Sequence, residues 1–574
     1  MAKKKHLITS ALPYINGVKH LGNLVGSLLP ADVYARFLRQ TGEEVLFICA
    51  TDEHGTPAEI SAMEAGQDVE TYCNEQHEIQ KDIYARFLLS FDHFGRTSRP
   101  QNFELTHQMA EDLTKNGFIE ERSIKQIYSP KDGRFLPDRY VEGTCPFCGY
   151  ERARGDQCEN CTKLLDPVDL KNPRSALSGS TELEVRESKH LFLLLPKMAE
   201  TVAKWVETKK GLWSPLVYSI AQKWLNEGLQ ERCITRDLKW GIPVNREGFE
   251  DKVFYVWFDA PIGYISATKE WSDLDPEHRD WKDWWLDADD TTIYTEFMAK
   301  DNIPFHTVTF PACMMGSGKP WKKVDVLKGF NWLTYYGGKF STSQHRGVFT
   351  DQALEEFPAD YWRYWLLANA PESSDSSFTF DSFVATINKD LNSTLGNFVN
   401  RVIKITENNF GAVVPEGGEV GDAEERLAKR LKELIGSYTA NMAEVSCRKA
   451  LADLRAIWVE GNNYITETEP WKAVKEDKER AAAILRTCFN LIYIFAVLSY
   501  PIIPEAAQKI LDMLGVKVAG GNAGWIDTDK LMARLQFVKG GDKFTPIEPL
   551  FSQITPERME ELTAKYGSDE GQKA

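Results

Sequence analysis

A short apolar segment, Leu7-Ile8, runs through a turn containing Pro13 and Gly17 into His20-Leu21-Gly22-Asn23 and a long helix-like stretch. A strand that feeds a tight turn and then a helix start commits the chain to an α/β layout. It also aims free backbone N–H groups and the positive end of the helix dipole at one spot, a natural anion site. His20 and Asn23 put side-chain donors on one face of that first turn. Gly22 lets a ligand approach the backbone. The run Val45-Leu-Phe-Ile-Cys-Ala50 is continuously apolar, as strands buried within a parallel sheet are, and it ends at Thr51-Asp52. Ligands of such sheets sit beyond the carboxyl ends of the strands, which places Asp52 for substrate contact, with a helix cap as the alternative. Far downstream, Gly337-Gly338 precedes Lys339-Phe340-Ser341-Thr342-Ser343, a pattern suited to a phosphate-binding loop.

With 574 residues, the chain exceeds one core and should hold about three or four domains. A hydrophobic share of 43% and sixteen Trp indicate packed globular domains. The formal charge of -16 excludes a nonspecific basic nucleic-acid coat but leaves room for local phosphate-binding patches. No apolar run reaches roughly eighteen residues, so no membrane span or membrane partner is expected. The charged start Met1-Ala-Lys-Lys-Lys-His6 lacks an apolar segment of signal-peptide length. Ten Cys with four in metal-like spacing point to a reducing, cytoplasmic setting.

The expected fold class is α/β: a Rossmann-like parallel-sheet catalytic domain with a zinc-knuckle insertion, followed by a C-terminal α-helical bundle. Residues 1–115 read as the first half of the sheet domain and 116–235 as an inserted connective domain. The second half follows at 236–330, with strands expected at Phe254–Phe258 and Thr307–Phe310. The Lys339 loop and an aromatic stretch occupy 331–385. Helical periodicity from Ile387 through Leu391, Leu395, Phe398, Val402 and Ile405 opens a bundle over 386–550. A short tail, 551–574, is polar at its end. Cys145-x-x-Cys148 and Cys158-x-x-Cys161 have knuckle spacing, and four thiolates form a closed tetrahedral Zn²⁺ shell at ~2.3 Å. A closed shell leaves no open position, so the zinc is expected to be structural.

His-Leu-Gly-Asn and Lys-Phe-Ser-Thr-Ser resemble the HIGH and KMSKS signatures of class I aminoacyl-tRNA synthetases. Ala11-Leu-Pro-Tyr14, Asp52-Glu-His-Gly-Thr-Pro57, Phe135-Leu-Pro-Asp-Arg139 and Tyr255-Val-Trp-Phe-Asp-Ala-Pro-Ile-Gly-Tyr264 resemble the methionine-specific branch of that family. The resemblance covers nearly the whole chain. It implies a methionine–tRNA ligase that forms methionyl-adenylate from L-methionine and ATP and charges tRNA(Met), initiator tRNA included. It implies catalytic roles for His20, Asn23 and Lys339, and ATP contact by His20, Gly22, Asn23, Asp301, Lys339, Ser341 and Thr342, with Mg²⁺ on the phosphates. Methionine falls to Ala11, Leu12, Tyr14, Asp52, Trp257, Ala260, Pro261, Tyr264 and His306. Aromatic walls suit a polarizable thioether, and Tyr264 and His306 carry donors for its sulfur. Ile303 and Phe305 are also expected nearby, and Arg236 matches a further active-site position.

Asn397, Arg401, Pro470 and Trp471 match the anticodon-reading positions, Trp471 serving as a stacking platform. Tyr128-Ser-Pro-Lys-Asp-Gly133 has no Cys where some members carry a second knuckle, so one zinc is expected. Two departures stand out: Asn23 replaces a second His, and Thr342 replaces a second Lys. Arg346, the pair Lys322 and Lys323, or Mg²⁺ are the candidates to supply the missing charge. The short insertion argues against a sibling ligase for Val, Ile or Leu, and the intact His20, Asp52 and Trp257 set argues against a binding-only protein. A monomer is expected.

Overall fold

The computed structural model describes residues 3–567 apart from 137–139, 156–157, 159, 162, 164, 341–345, 519–521, 532–534 and 536. Five parallel strands form the central sheet: β1 (Lys5–Ser10), β2 (Glu44–Thr51), β3 (His93–Arg96), β4 (Thr292–Ala299) and β5 (Val326–Phe330). Their spatial order is β5-β4-β1-β2-β3. Leu7 lies between Leu46 of β2 and Tyr294 of β4. Winding therefore reverses between β1 and β4, and a crevice opens beyond their carboxyl ends. Successive side chains point to opposite faces. Leu7, Leu46, Ile48 and Met298 pack on one side, against Ile265 and Ala267. Ile8, Phe47, Cys49 and Phe297 pack on the other, in a core that continues without a break into the C-terminal helices.

After β1 the chain forms one turn at Leu21–Asn23, a π-helical stretch at Leu24–Leu28, and helix α1 (Leu29–Gln40). The insertion is an antiparallel sheet whose long strands, Ile119–Ser129 and Glu184–Leu193, pair in register from Ile119↔Leu193 to Tyr128↔Glu184. The knuckle hangs between them on a smaller sheet formed by Val141–Thr144 with Ala153–Arg154 and Lys171–Ser175.

Both strands expected after the insertion are corrected. Only Val253–Phe254 is extended; Val256–Asp259 is a helical turn that leads into α2 (Gly263–Asp273). Phe305–Thr309 is π-helical and runs on as Phe310–Gly316. Short apolar runs buried on every side carry no period that separates strand from helix.

Beyond the Lys339 loop, α3 (Ala359–Ala368) leads to a helix that continues from Phe380 through a π-helical stretch, Ile387–Gly396, into α4 (Asn397–Phe410). Position 386 thus lies inside a continuous helix. The bundle is completed by α5 (Asp422–Ala443), α6 (Cys447–Thr468), α7 (Pro470–Glu476), α8 (Lys478–Ser499) and α9 (Pro504–Met513). By length and composition alone α8 could cross a membrane, but 94% of its apolar window is buried inside the bundle. The last described helix, α10 (Pro556–Tyr566), turns back to the loop platform. The Tyr335 hydroxyl donates to the Gly567 carbonyl at 2.9 Å, and Glu356 pairs with Lys565 at 2.7 Å and with Arg558.

One buried ion pair joins sheet domain and bundle. The Arg363 guanidinium on α3 donates to Asp32 of α1 at 2.7 Å, both side chains being fully buried. Its other N–H groups reach the carbonyls of Ile502, Phe87 and Pro501. Asp32 also accepts from the Ser90 backbone and hydroxyl at 2.6 Å. Burial alone would push this carboxyl up; Arg36 and Arg363 overcome it and hold it at about 2. Breaking such a pair leaves an uncompensated buried charge and costs ~3–5 kcal/mol. Arg363→Leu is expected to lower the thermal unfolding midpoint markedly, and a midpoint equal to that of the parent chain contradicts this.

Candidate active site

The turn after β1 is pinned against the end of β2. Asp52 N–H donates to the Pro13 carbonyl at 3.0 Å, and Ile15 N–H to the Asp52 carbonyl at 2.9 Å. Gln80 holds the same turn from outside by donating to the carbonyls of Tyr14 and Gly17. Beneath it the Glu53 carboxylate receives two N–H groups of Arg96, at 2.8 and 3.0 Å, and His54 pairs with buried Asp259 at 2.7 Å. Asp52 itself lacks such company: its Oδ1 is buried with no hydrogen-bond partner among the described residues. Burial, Asp259 and Glu53 push its pKa well above the usual carboxylate range.

His20 caps the helix that follows. Its Nδ1 accepts the Asn23 N–H at 3.3 Å, while Asn23 Oδ1 accepts the His20 N–H at 3.2 Å. An Nδ1 that accepts leaves Nε2 to carry the proton. Burial and the neighbouring Lys19 push the imidazole pKa down to about 4, so the ring is a neutral donor near neutrality. Gly22 has a more local reason than ligand approach: a Cβ there would lie 3.0 Å from His20 Nδ1. The Phe340 ring stacks on His20 with centroids 4.6 Å apart, and Leu21 N–H donates to the Val348 carbonyl. Both ends of the Lys339 loop therefore rest on the helix start.

Between these walls lies a cavity of about 540 Å³. Ala11, Leu12, Tyr14, Asp52 and Trp257 line one part of it; His20, Gly22, Asn23, Asp301 and Lys339 line another. Ala260, Pro261, Tyr264 and His306 do not line it. Tyr264 and His306 are buried, and the Tyr264 hydroxyl donates to His306 Nε2 at 2.9 Å, while His306 Nδ1–H donates to the Asn302 carbonyl at 2.9 Å. Burial keeps His306 neutral, with a pKa of about 4. Both protons are thus committed, and neither group has a donor left for a sulfur atom. Trp257 stacks on Phe305, centroids 3.8 Å apart, and Ile303 is fully buried.

Arg236 is also outside the lining: its guanidinium lies 3.8 Å from the Tyr255 ring centroid and donates to the carbonyls of Cys233 and Thr235. Ser341 and Thr342 fall outside the described residues. The candidates for extra charge are engaged elsewhere. Arg346 donates to the carbonyls of Lys339 and Tyr335, bracing the loop; Lys322 pairs with Asp325 at 2.9 Å; and Lys323 donates to the Trp321 carbonyl. Residues the sequence reading passed over, Lys19, Asn16, Asn302 and Trp332, do line the cavity. Adjacency to His20 was the available signal for Lys19.

The four knuckle cysteines converge, every Sγ lying within 4.8 Å of the others. Cys145 and Cys161 are 3.8 Å apart, and Cys148 and Cys158 are 3.6 Å apart. A tetrahedron with metal–sulfur bonds of ~2.3 Å has edges of ~3.8 Å, so the group fits a metal ion. In the bundle, the Arg401 guanidinium lies 5.3 Å over the Trp471 ring, with Asn397 exposed one turn earlier on α4. Glu469, in the left-handed region at φ 43°, ends α6, and Pro470 begins α7. Trp471 is half-buried rather than freely exposed.

A family profile described as tRNA synthetases class I (M) matches residues 6–403, and one described as anticodon binding domain of methionyl tRNA ligase matches residues 414–571. The methionine–tRNA ligase of Streptomyces avermitilis is 58% identical over 571 residues, spanning 98% of this chain and 99% of that one. Methionine–tRNA ligase 1 of Acaryochloris marina is 56% identical over 565 residues, spanning 98% of this chain and all of that one. A solved structure of Mycobacterium tuberculosis methionyl-tRNA synthetase in complex with methionyl-adenylate has the same fold, with a TM-score of 0.75 at 24% identity over 96% of this chain and 99% of that one. With a class I profile over most of its length and relatives above half identity end to end, the chain belongs to the methionyl-tRNA synthetase family.

Proposed function

We propose that this protein is a cytoplasmic, monomeric methionine–tRNA ligase. It activates L-methionine with ATP and transfers it to the 3′ end of tRNA(Met), initiator tRNA included. The observation that carries the reading is the cavity at the β1/β4 divergence, which has an unpartnered buried Asp52 Oδ1 on one wall and the capped His20 with Lys339 on another.

The α-ammonium of methionine supplies the partner that Asp52 lacks, a charge-assisted hydrogen bond in a shielded place. This turns the substrate carboxylate toward the helix start. Ala11, Leu12 and Tyr14 bound the amino acid, and Trp257 with Phe305 gives the thioether an aromatic wall. Tyr264 and His306, already bonded to each other, shape that wall rather than grip the sulfur, with Ala260 and Pro261 beside them in the chain. ATP enters with Mg²⁺, which offsets charge on its phosphates. Gly22 and Asp301 face the nucleoside, the Asp301 carboxylate being placed to accept from a ribose hydroxyl.

A carboxylate oxygen of methionine attacks the α-phosphorus in line, and the bond to pyrophosphate breaks. His20 Nε2–H and the helix N-terminus donate to the developing phosphoryl charge, with Asn23 holding the His20 ring in place. Lys339, with Ser341 and Thr342 after it, holds the departing pyrophosphate. The terminal ribose hydroxyl of tRNA then attacks the acyl carbonyl and releases AMP. No covalent enzyme intermediate is needed; positioning and charge stabilisation carry the rate. Arg236 braces the strand beside Tyr255. Asn397, Arg401, Pro470 and Trp471 receive the anticodon, and the four cysteines hold one structural zinc.

The test is ATP–pyrophosphate exchange with each of the twenty amino acids, without tRNA. Exchange driven by methionine alone supports the reading, and exchange driven by another amino acid, or by none, refutes it. His20→Ala should lower kcat for exchange by about 10²–10³-fold with little change in the KM for methionine. A change confined to KM removes its transition-state role. Trp471→Ala should leave exchange intact and cost about tenfold or more in kcat/KM for tRNA, the scale of one lost stacking contact; equal loss in both steps makes Trp471 structural. Metal analysis should find one zinc per chain, and Cys145→Ser should abolish it and lower the thermal midpoint. A metal-free chain with the same midpoint contradicts the zinc assignment.

A further inference from the structure

The proposed reaction drives two anions together, the methionine carboxylate and the α-phosphate. Among the described residues that line the cavity, only Lys19 and Lys339 carry a cationic side chain, since His20 is neutral there. Positions 23 and 342 hold neutral Asn and Thr. Lys339 is exposed, with Nζ 5.0 Å over the Trp332 ring. Lys19 is the opposite: it is 6% exposed.

Three features mark Lys19 as a placed charge. Its Nζ donates to Asn16 Oδ1 at 2.7 Å, and no carboxylate of a described residue comes within ion-pair distance. Its own carbonyl is fixed by the Thr350 N–H at 2.9 Å and the Thr350 hydroxyl at 2.8 Å. It stands in the chain between the Tyr14–Asp52 wall and His20, and its field reaches both Asp52 and His20. A buried ammonium satisfied by one neutral amide is costly to keep charged, unless an anion arrives to share the site.

We propose that Lys19 is the second cation of this active site. It contacts the oxygens of the methionine carboxylate and the α-phosphate and lowers the repulsion between them as the new P–O bond forms. It fills the role left open by the neutral side chains at Asn23 and Thr342. The inference rests on the adenylate-forming reading given above.

Burial lowers the Lys19 pKa to about 7, and Asp52 opposes that shift. The other titratable groups lining the cavity are Tyr14, His20, Asp301 and Lys339. The charged form is present below this pKa and lost as pH rises through it. In the wild type, kcat/KM for ATP, which reports the free enzyme, should fall on the alkaline side of about pH 7.

The experiment is methionine-dependent ATP–pyrophosphate exchange from pH 6 to pH 9 with wild type, Lys19→Met and Lys19→Ala. Absence of exchange in the wild type overturns the ligase reading itself, and the variants are then moot. With an active wild type, Lys19→Met should lose about 10²-fold in kcat, keep the methionine KM within about threefold, and lose the alkaline limb. Ethylammonium should restore part of the rate to Lys19→Ala, a rescue that a merely structural lysine does not allow. Wild-type kcat in Lys19→Met, a loss confined to KM, or an alkaline limb unchanged by the substitution overturns the proposal. Where circular dichroism shows that a variant is unfolded, the wild-type profile decides: a kcat/KM that is flat from pH 6 to pH 9 overturns it.

Discussion

The ion pair between Asp32 and Arg363 is where the two halves of the molecule become one body. Asp32 lies in α1, whose helical run begins at His20 on the cavity wall, while Arg363 lies in α3, beneath the C-terminal bundle. A buried pair stabilises only when its remaining polar atoms are satisfied, and here Ser90, Arg36 and the carbonyls of Phe87, Pro501 and Ile502 satisfy them. At the far end of α1, Gln40 donates to the carbonyls of Val497 and Gly524. The helical run is thus a strut, with its start at the cavity and its end fixed to the bundle. A single apolar core that runs from Ile8 to Leu562 is the packing counterpart.

Within the cavity, the arrangement of protons matters as much as the arrangement of atoms. His20 is held neutral with its proton on Nε2, so it can donate without adding a full charge beside Lys19. Tyr264, His306 and the Asn302 carbonyl form a closed donor chain. Asn302 follows Asp301, and both line the cavity. A side chain that needs hydrogen bonds finds no free donor from Tyr264 or His306, whereas a thioether, a weak acceptor, forfeits little. In the proposed reading, selectivity comes from the aromatic stack of Trp257 on Phe305.

Local features were legible in the sequence. The strand–turn–helix unit, the end of β2 at Asp52 and the two cysteine pairs are set by neighbours in the chain, and the structure holds them together. Features that depend on distant partners were not legible. Val256–Asp259 and Phe305–Thr309 are helical in their tertiary setting, and a short apolar run carries no period that records it. Arg346 looked like a free charge; the carbonyls of Lys339 and Tyr335, brought close by the turn at Tyr335–Gly338, claim it. Adjacency to His20 was the one local signal for Lys19, and adjacency does not tell a buried lysine from a solvated one. The Lys19 carbonyl is fixed by Thr350, 331 residues downstream. The polar tail likewise hid α10, whose Leu562 is fully buried against the loop platform.

In the proposed reaction, methionine and ATP meet in the crevice between β1 and β4, with the amino group on Asp52 and the phosphate at His20. A crystal structure of the protein with a nonhydrolysable methionyl-adenylate analogue tests this most directly. The analogue's ammonium should lie within hydrogen-bond distance of Asp52 Oδ1 and its phosphoryl group over the turn that His20 caps. An analogue whose ammonium is held by another group, or whose phosphoryl group lies away from His20, would contradict it.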